Sequence, residues 1–372
     1  MKIAFVHDYL VQYGGAERVL ECLCEIYSYA PIYTILHNKE AMHGLFEDKR
    51  IYTSYLQGFP FARSWHRIFP LLMPPAIEQF DFSAYDVVIS DSSSYAKGII
   101  TGPNTLHICY MHTPMRYAWD DCQKYTRDFY FPRFIKKLIP FAMNYIRIWD
   151  KVSADRVDIF IANSNFVARR IHKYYHKESI VINPPVDTKK FSLREKKTTE
   201  KYFLMVGRLI AYKRHSIAIR AFNELRLPLK IIGRGPELKR LKKIAGPTIE
   251  FLHRTDDEEL KQYYADCQAV IFPQEEDFGI VAIEALSSGK PLIAFRGGDI
   301  PEHMEENRMG VFFDEQTSDA VKDAIAKFEK LSFDPEYIRS KVLKFDREIF
   351  KEKMRTFIEK QLSKHLEAIK KG

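Results

Sequence analysis

The feature that most restricts this chain's architecture is a repeated pattern. A short β-branched or apolar run ends in Gly, Ser or Asn, and a helix-period segment follows. Ile3–Val6, Val87–Ser90, Leu106–Tyr110 and Ile159–Asn163 are such runs in the first half. Phe203–Val206, Leu229–Ile232, Ile249–Leu252, Ala269–Phe272 and Pro291–Ala294 are those of the second. Strands alternating with helices predict an α/β protein built on parallel sheets. In such open sheets, ligands bind at the loops beyond the strands' carboxyl ends. A length of 372 residues exceeds one ordinary core and fits two domains. The join is expected at Asn183-Pro184-Pro185-Val186-Asp187, where two prolines block a helix and favour extended chain. The expected domains are residues 1–183 and 184–350, followed by a helix over 351–372. Phe350, Met354, Phe357, Ile358, Leu362, Leu366 and Ile369 recur at three- and four-residue spacing there, an apolar stripe that needs a surface to cover. Packing back on the N-terminal domain is the expectation, and contact with a membrane through the helix's lysines is the alternative.

Composition removes several classes. Hydrophobic residues make up 46% and charged residues 28%, enough to fill two cores and cover them. Met1 runs straight into an apolar strand with no signal-peptide core, and no apolar run reaches bilayer length. A cytoplasmic protein is expected, peripheral at most to the inner face of the cell membrane. Cys22, Cys24, Cys109, Cys122 and Cys267 are odd in number and scattered, without a C-x-x-C pair. That pattern argues against a disulfide framework or a zinc site, and neither metal nor cofactor is expected. The net charge is +8, and from Arg339 onward eleven Lys/Arg stand against five Asp/Glu. No helix-turn-helix, zinc-finger or RNP signature accompanies that charge, so nucleic acid is not an expected partner. An anionic membrane surface is one, because Arg63–Phe69 and Arg133–Ile139 mix cations with apolar and aromatic groups.

The residues with chemistry cluster at predicted strand ends. After Phe272 comes an acidic loop with Glu276 and Asp277, then Phe278, Gly279 and the helix-forming run Ile280–Ser288. That run is apolar on nearly every side except at Glu284. A buried carboxylate costs several kcal/mol unless hydrogen-bonded. Glu284 is therefore either an internal salt-bridge partner or an acceptor for ligand hydroxyls. Gly279 at the helix start lets an anion approach backbone N–H groups and the positive dipole end. Past Val206-Gly207, Arg208 and Lys213 supply a bidentate fork and a point charge suited to a diphosphate. Gly14-Gly15 precedes a helix in the same way after Ile3–Val6, although no G-x-G-x-x-G is present. Gly233, in the turn after Leu229–Ile232, and Arg254 are the expected nucleobase-side residues. His112, with Arg116, Tyr117, Trp119 and Asp120 in the same loop, reads as a polar and aromatic sugar platform. Ser93, in the loop Asp91–Ser94, faces the same rim, or caps a helix.

These motifs together resemble the retaining glycosyltransferases of family 4. The resemblance covers the whole length and is strongest from Tyr202 to Glu302, with Glu276 and Glu284 inside EEDFGIVAIEALSSGKPLIAF and GRLIAYKR upstream. HDYLVQYGGAERV, YMHTPMRYAWD and IANSNFVARRIHKYY are similar to the mannosyltransferase branch of the family that includes the WbaZ-type O-antigen enzymes. The resemblance implies the GT-B fold, two Rossmann-like domains facing a central cleft, with the last helix crossing back. It implies that Arg208 and Lys213 bind the donor diphosphate, with a backbone contact from Gly15. Glu276 and the backbone of Phe278, Gly279 and Ile280 would hold the donor sugar, Glu284 the ribose, and His112 would lie beside the transferred sugar. The branch implies GDP-mannose as donor and a lipid-linked or oligosaccharide acceptor. Two positions depart from the family pattern: Asn183-Pro184-Pro185 stands where many relatives have Pro-Asn-Gly, and His253 where they carry glycine. The expected chemistry is a front-face displacement, since a double displacement needs a carboxylate on the sugar's opposite face and only Asp8 and Asp120 could be put forward. The competing readings are a nucleotide-sugar epimerase or hydrolase on the same scaffold and a noncatalytic nucleotide-sugar-binding protein. Retention of both cations and both glutamates weighs against the last.

Overall fold

The computed structural model describes residues 1–60, 70–120, 133–252 and 256–371, with backbone alone at 133–137 and 371. It divides into two compact units: residues 1–185 with 350–372, and residues 186–349. The chain thus leaves the first unit at Pro185 and re-enters it at Phe350. The boundary expected after Asn183 lies two residues before this division, and the last segment, expected to pack on the N-terminal domain, is grouped with the first unit.

The first unit holds a seven-stranded parallel sheet among the described residues, ordered β3-β2-β1-β4-β5-β6-β7. Its strands are β1 (Ile3–Leu10), β2 (Ile32–His37), β3 (Ile51–Thr53), β4 (Val87–Ser92), β5 (Leu106–Met111), β6 (Ile159–Ala162) and β7 (Ser179–Val181). Both faces are covered, as an all-parallel sheet requires. Ile3, Phe5, Val87 and Ile89 face Val19, Leu20 and Leu23 of the helix Gly15–Ile26. The alternate positions, Ala4, Val6 and Val88, face Ile77, Met143, Ile146 and Trp149. Phe350, Met354, Ile358 and Leu362 of the last helix, Arg347–Lys371, are buried in the first of these cores. Each such side chain contributes about 1.5–3 kcal/mol. The last helix therefore does cross back, and its apolar stripe is used internally.

The second unit carries a six-stranded parallel sheet, again among the described residues, ordered β10-β9-β8-β11-β12-β13. The strands are β8 (Phe203–Val206), β9 (Leu229–Ile232), β10 (Ile249–Leu252), β11 (Val270–Phe272), β12 (Leu292–Phe295) and β13 (Gly310–Phe313). The helix Ile280–Ser287 packs with Leu204, Val270 and Leu292 on one face. His215–Leu225 and Ser318–Phe328 cover Phe203, Ile231 and Ile293 on the other. In both sheets the chain first builds outward on one side and then returns to the other. The order reverses between β1 and β4 and again between β8 and β11, and such reversals open a crevice beyond the strands' carboxyl ends. Among the described residues no helix is long and apolar enough to cross a membrane. Cys22, Cys24, Cys109 and Cys267 are buried free thiols, and Cys122 lies outside the described residues.

Candidate functional site

In the second unit the sequence-singled residues gather at the β8/β11 reversal. Arg208 is exposed just past β8. Lys213 ends the turn Ala211–Lys213, and its Nζ lies 2.9 Å from Oε1 of Glu276 in the loop past β11. The two side chains are 12% and 17% exposed. The approach is an ion pair without hydrogen-bond alignment, so Oε1 keeps acceptor capacity for a ligand donor. Gly279 follows in the left-handed region at φ +78, and a Cβ built on it would stand 2.6 Å from Ile300 Cδ1. Only glycine starts the helix Ile280–Ser287 there. The first N–H groups of such a helix lack intrahelical acceptors and form its positive end. Phe278 is buried edge-on against His303 and Phe345, which fixes the backbone leading into that helix start.

Glu284 lies deeper than the other three ionic groups. It is 2% exposed, and Tyr264 Oη donates to its Oε2 at 3.4 Å. Gly233 has a packing reason of its own, because its Cβ would meet the Gly207 carbonyl oxygen at 1.9 Å. Leu209 N donates to the Arg234 carbonyl at 2.8 Å, so the β9 turn props the loop that carries Arg208. Arg254, with His253, lies outside the described residues.

In the first unit, β1 does not stop at Val6. His7 and Asp8 are strand residues, 3% exposed each, rather than a strand-end loop. His7 and Asp91 are register partners across β1 and β4. His7 Nδ1 lies 2.9 Å from Asp91 Oδ2, and its Nε2 lies 3.5 Å from Oε1 of Glu17 on the helix Gly15–Ile26. Asp91 Oδ1 bonds His112 Nε2 at 2.5 Å. The result is a line of four groups, Glu17, His7, Asp91 and His112, ending on the 13%-exposed His112. An ionised Asp91 accepts only, so it fixes His112 with Nε2–H toward the strand and leaves Nδ1 for a ligand. Sequence reasoning found His112 and missed Glu17 and the His7–Asp91 pair. Polar residues at the ends of successive apolar runs were the available signal.

The carboxylate of Asp8 accepts from Ser93 N and Oγ, Tyr95 N and Ala96 N at 2.6–2.9 Å. Ser93 is thus a strut for its own loop. Trp119 stacks on Tyr174 and donates its indole N–H to Asp150 at 2.8 Å, while Asp120 is held by Arg170 and Tyr174. Asp8 and Asp120, the carboxylates put forward for a double displacement, are both committed to internal partners. Arg116 and Tyr117 lie half-buried in the same loop, and Gly15 opens its helix after an extended Gly14.

Burial opposes charge on His7, but bonds and attraction from Asp91 and Glu17 outweigh it and push its pKa up to about 10. Burial pushes His107 and His215 down to about 4, Lys213 adding to the effect at His215. A raised histidine stabilises fully below its unfolded value near 6.5 and loses that contribution as pH climbs toward 10. Depressed histidines stabilise above 6.5 and lose it as pH falls toward 4. Melting temperature is therefore expected to fall on both sides of about pH 6.5. His7→Gln should flatten the slope between about pH 6.5 and 9, below the range where the buried thiols, raised by burial to about 12, begin to contribute. Calorimetric melts of both proteins across this range check it, and an unchanged slope in the variant would contradict the pairing.

The family model described as Glycosyltransferase Family 4 matches residues 13–190, and that described as Glycosyl transferases group 1 matches residues 186–344. The chain belongs to glycosyltransferase family 4. The D-inositol 3-phosphate glycosyltransferase of Corynebacterium urealyticum is 28% identical over 214 residues, covering 49% of this chain and 50% of the relative. The O-antigen chain mannosyltransferase RfbU of Salmonella typhimurium is 30% identical over 224 residues, covering 54% and 61%. The family 4 chain spans about half the length of the first curated relatives it matches. The crystal structure of HepE from Anabaena in complex with UDP superposes with a TM-score of 0.71 at 17% identity, covering 97% of this chain and 100% of that one. The two parallel-sheet units are those of the GT-B fold.

Proposed function

We propose that this family 4 chain is a retaining glycosyltransferase that moves mannose from GDP-mannose to a glycan hydroxyl. The acceptor is carried on a lipid and met at an anionic membrane surface. The observation that carries the reading is the Lys213–Glu276 pair beside the Gly279 helix start, at the strand-order reversal of the second sheet. A cation, a carboxylate with spare acceptor capacity and a helix N-terminus are the groups a sugar diphosphate needs. Lys213, Arg208 and the N–H groups after Gly279 stabilise the charge that grows on the departing diphosphate, commonly the largest catalytic contribution. Glu276 receives the sugar's hydroxyls, Glu284 the ribose, and His112, fixed by Asp91, contacts the transferred sugar. The leaving diphosphate oxygen takes the acceptor's proton as the new glycosidic bond forms on the same face.

The mannose assignment is supported by RfbU and by a Mycobacterium tuberculosis relative named GDP-mannose-dependent alpha-(1-6)-phosphatidylinositol monomannoside mannosyltransferase, 28% identical over 157 residues. HepE was crystallised with UDP, so the base is the first thing to test. Calorimetric titration with GDP-, UDP- and ADP-sugars, followed by turnover with lipid-linked acceptors, is expected to select GDP-mannose. Turnover of a UDP-sugar in its place would overturn the donor, and release of free sugar at the same rate without acceptor would overturn transfer. Metal-independent chemistry is part of the proposal, because the two cations and the helix supply the positive charge. Rates should be equal in excess EDTA and in added magnesium.

A further inference from the structure

The helix Arg133–Ala154 turns a buried face toward the first unit, with Met143, Ile146 and Trp149 in its core. Its outward face is apolar as well. Leu138 is 62% exposed, Phe141 76%, Tyr145 51%, Ile148 58% and Val152 53%. They recur at three- and four-residue steps, so they form one continuous stripe. The apolar arc of this helix is therefore wider than the part that the core of the first unit covers. Single exposed apolar side chains are ordinary, whereas a contiguous patch marks an interaction surface.

The charge of the same helix selects the occupant. By sequence it carries Arg133, Lys136, Lys137, Arg147 and Lys151 against one acid, Asp150. Arg147 Nε donates to the Ala118 carbonyl at 2.8 Å and Lys151 Nζ to the Tyr175 carbonyl at 2.6 Å, with Asp155 4.0 Å from Lys151, so these two half-buried cations flank the apolar stripe rather than lie on it. Asp150 is fully buried and paired with Lys97, so the helix adds no negative charge to its outward side. A second copy would bring the same cations against these. An anionic lipid surface brings the opposite sign, with an apolar layer beneath for Phe141 and Ile148. The basic last helix is a poorer candidate, because its stripe is buried and only Leu366 and Ile369 remain exposed toward its end.

We propose that the outward face of Arg133–Ala154 seats the first unit on an anionic lipid surface, lying in the interface plane without crossing it. This deepens the membrane part of the proposed function and rests on that part alone. The test is co-sedimentation of the full chain with vesicles of phosphatidylglycerol and phosphatidylcholine, against vesicles of phosphatidylcholine only. Wild type is expected to bind the mixed vesicles about tenfold more tightly, and Phe141→Glu/Ile148→Glu to lose that binding by about tenfold or more. Both positions are exposed, so the variant's melting temperature and its GDP-sugar titration should match wild type. Variant binding equal to wild type would overturn the proposal, as would equal binding to both vesicle types. A wild-type dimer in sedimentation equilibrium that the variant splits would overturn it in favour of a second copy. Vesicle binding is measured without donor, so a failed GDP-mannose assay beside intact vesicle binding would reject the donor and leave this surface standing.

Discussion

Lys213→Ala should lower kcat/KM for sugar transfer by about 100- to 1000-fold, which corresponds to about 2.7–4 kcal/mol of lost transition-state stabilisation. The loss should fall mainly on kcat, because charge on the departing diphosphate grows only as the donor bond breaks. Lys213 is 12% exposed and its partner Glu276 17%, so the site is partly desolvated and the charge acts more strongly than in water. Folding should be little affected. The pair is one ion contact near the surface, worth about 1 kcal/mol, or about 2–4 °C in melting temperature for a unit of this size. Lys213→Arg keeps the charge but spreads it over a planar fork, so partial activity is expected from that variant. Glu276→Gln separates two roles. It removes the counter-ion from Lys213 while keeping a hydroxyl acceptor, so KM should move more than kcat. Steady-state kinetics on the three variants, with melting curves beside them, check the set. An alanine variant within threefold of wild type would remove Lys213 from the clamp.

The cluster proposed as that clamp was legible in the sequence because its parts lie in short stretches at strand ends. Gly207, Arg208 and Lys213 follow β8 directly, and Glu276 to Gly279 follow β11. Parallel topology then brings the two loops side by side through the β8/β11 pairing, 66 residues apart at Leu204↔Val270. The Glu17, His7, Asp91 and His112 line was not legible. It depends on the register of β1 against β4, which joins residues 84 apart, and no periodicity encodes a register. A histidine and an aspartate side by side also look like loop residues, so the apolar pattern stops at Val6 although β1 runs to Leu10. Four strands are absent from the sequence reading, β2, β3, β7 and β13, and three of them have plain physical reasons. Ile51–Thr53 and Ser179–Val181 are three-residue edge strands, too short to show alternation. Gly310–Phe313 begins on a glycine at φ +152, which reads as a turn. The apolar stripe of Arg133–Ala154 was visible only over Arg133–Ile139, as a basic and apolar mixture, because periodicity marks apolar positions without showing which of them the core covers and which solvent reaches.

Asp150→Ala should be the most damaging single change to folding among those argued here. Lys97 and Asp150 are both fully buried, with Nζ 2.5 Å from Oδ1. Asp150 Oδ2 also accepts from Trp119 Nε1 and Tyr175 Oη, each at 2.8 Å. Removing the carboxylate leaves a buried ammonium with, among the described residues, the Ser94 carbonyl, the Ser153 hydroxyl and two aromatic rings around it. Breaking one side of a buried pair typically costs about 3–5 kcal/mol. That is a large share of the ~5–15 kcal/mol that holds an ordinary domain together, and should appear as a fall of about 6–20 °C in the first unit's melting temperature. The converse is the sharper test. Replacing both partners by apolar residues of similar volume removes both charges together, and such replacements are often neutral or stabilising. Lys97→Met/Asp150→Leu is therefore expected to melt well above Asp150→Ala, with a coupling energy of about 1–3 kcal/mol in the double-mutant cycle. A double variant no more stable than the single one would mean that the Trp119 and Tyr175 bonds, not the charge pair, are what the position supplies. In that event the damage should extend to the His112 loop, because Trp119 sits on it, and transfer activity would fall at temperatures where the protein is still folded.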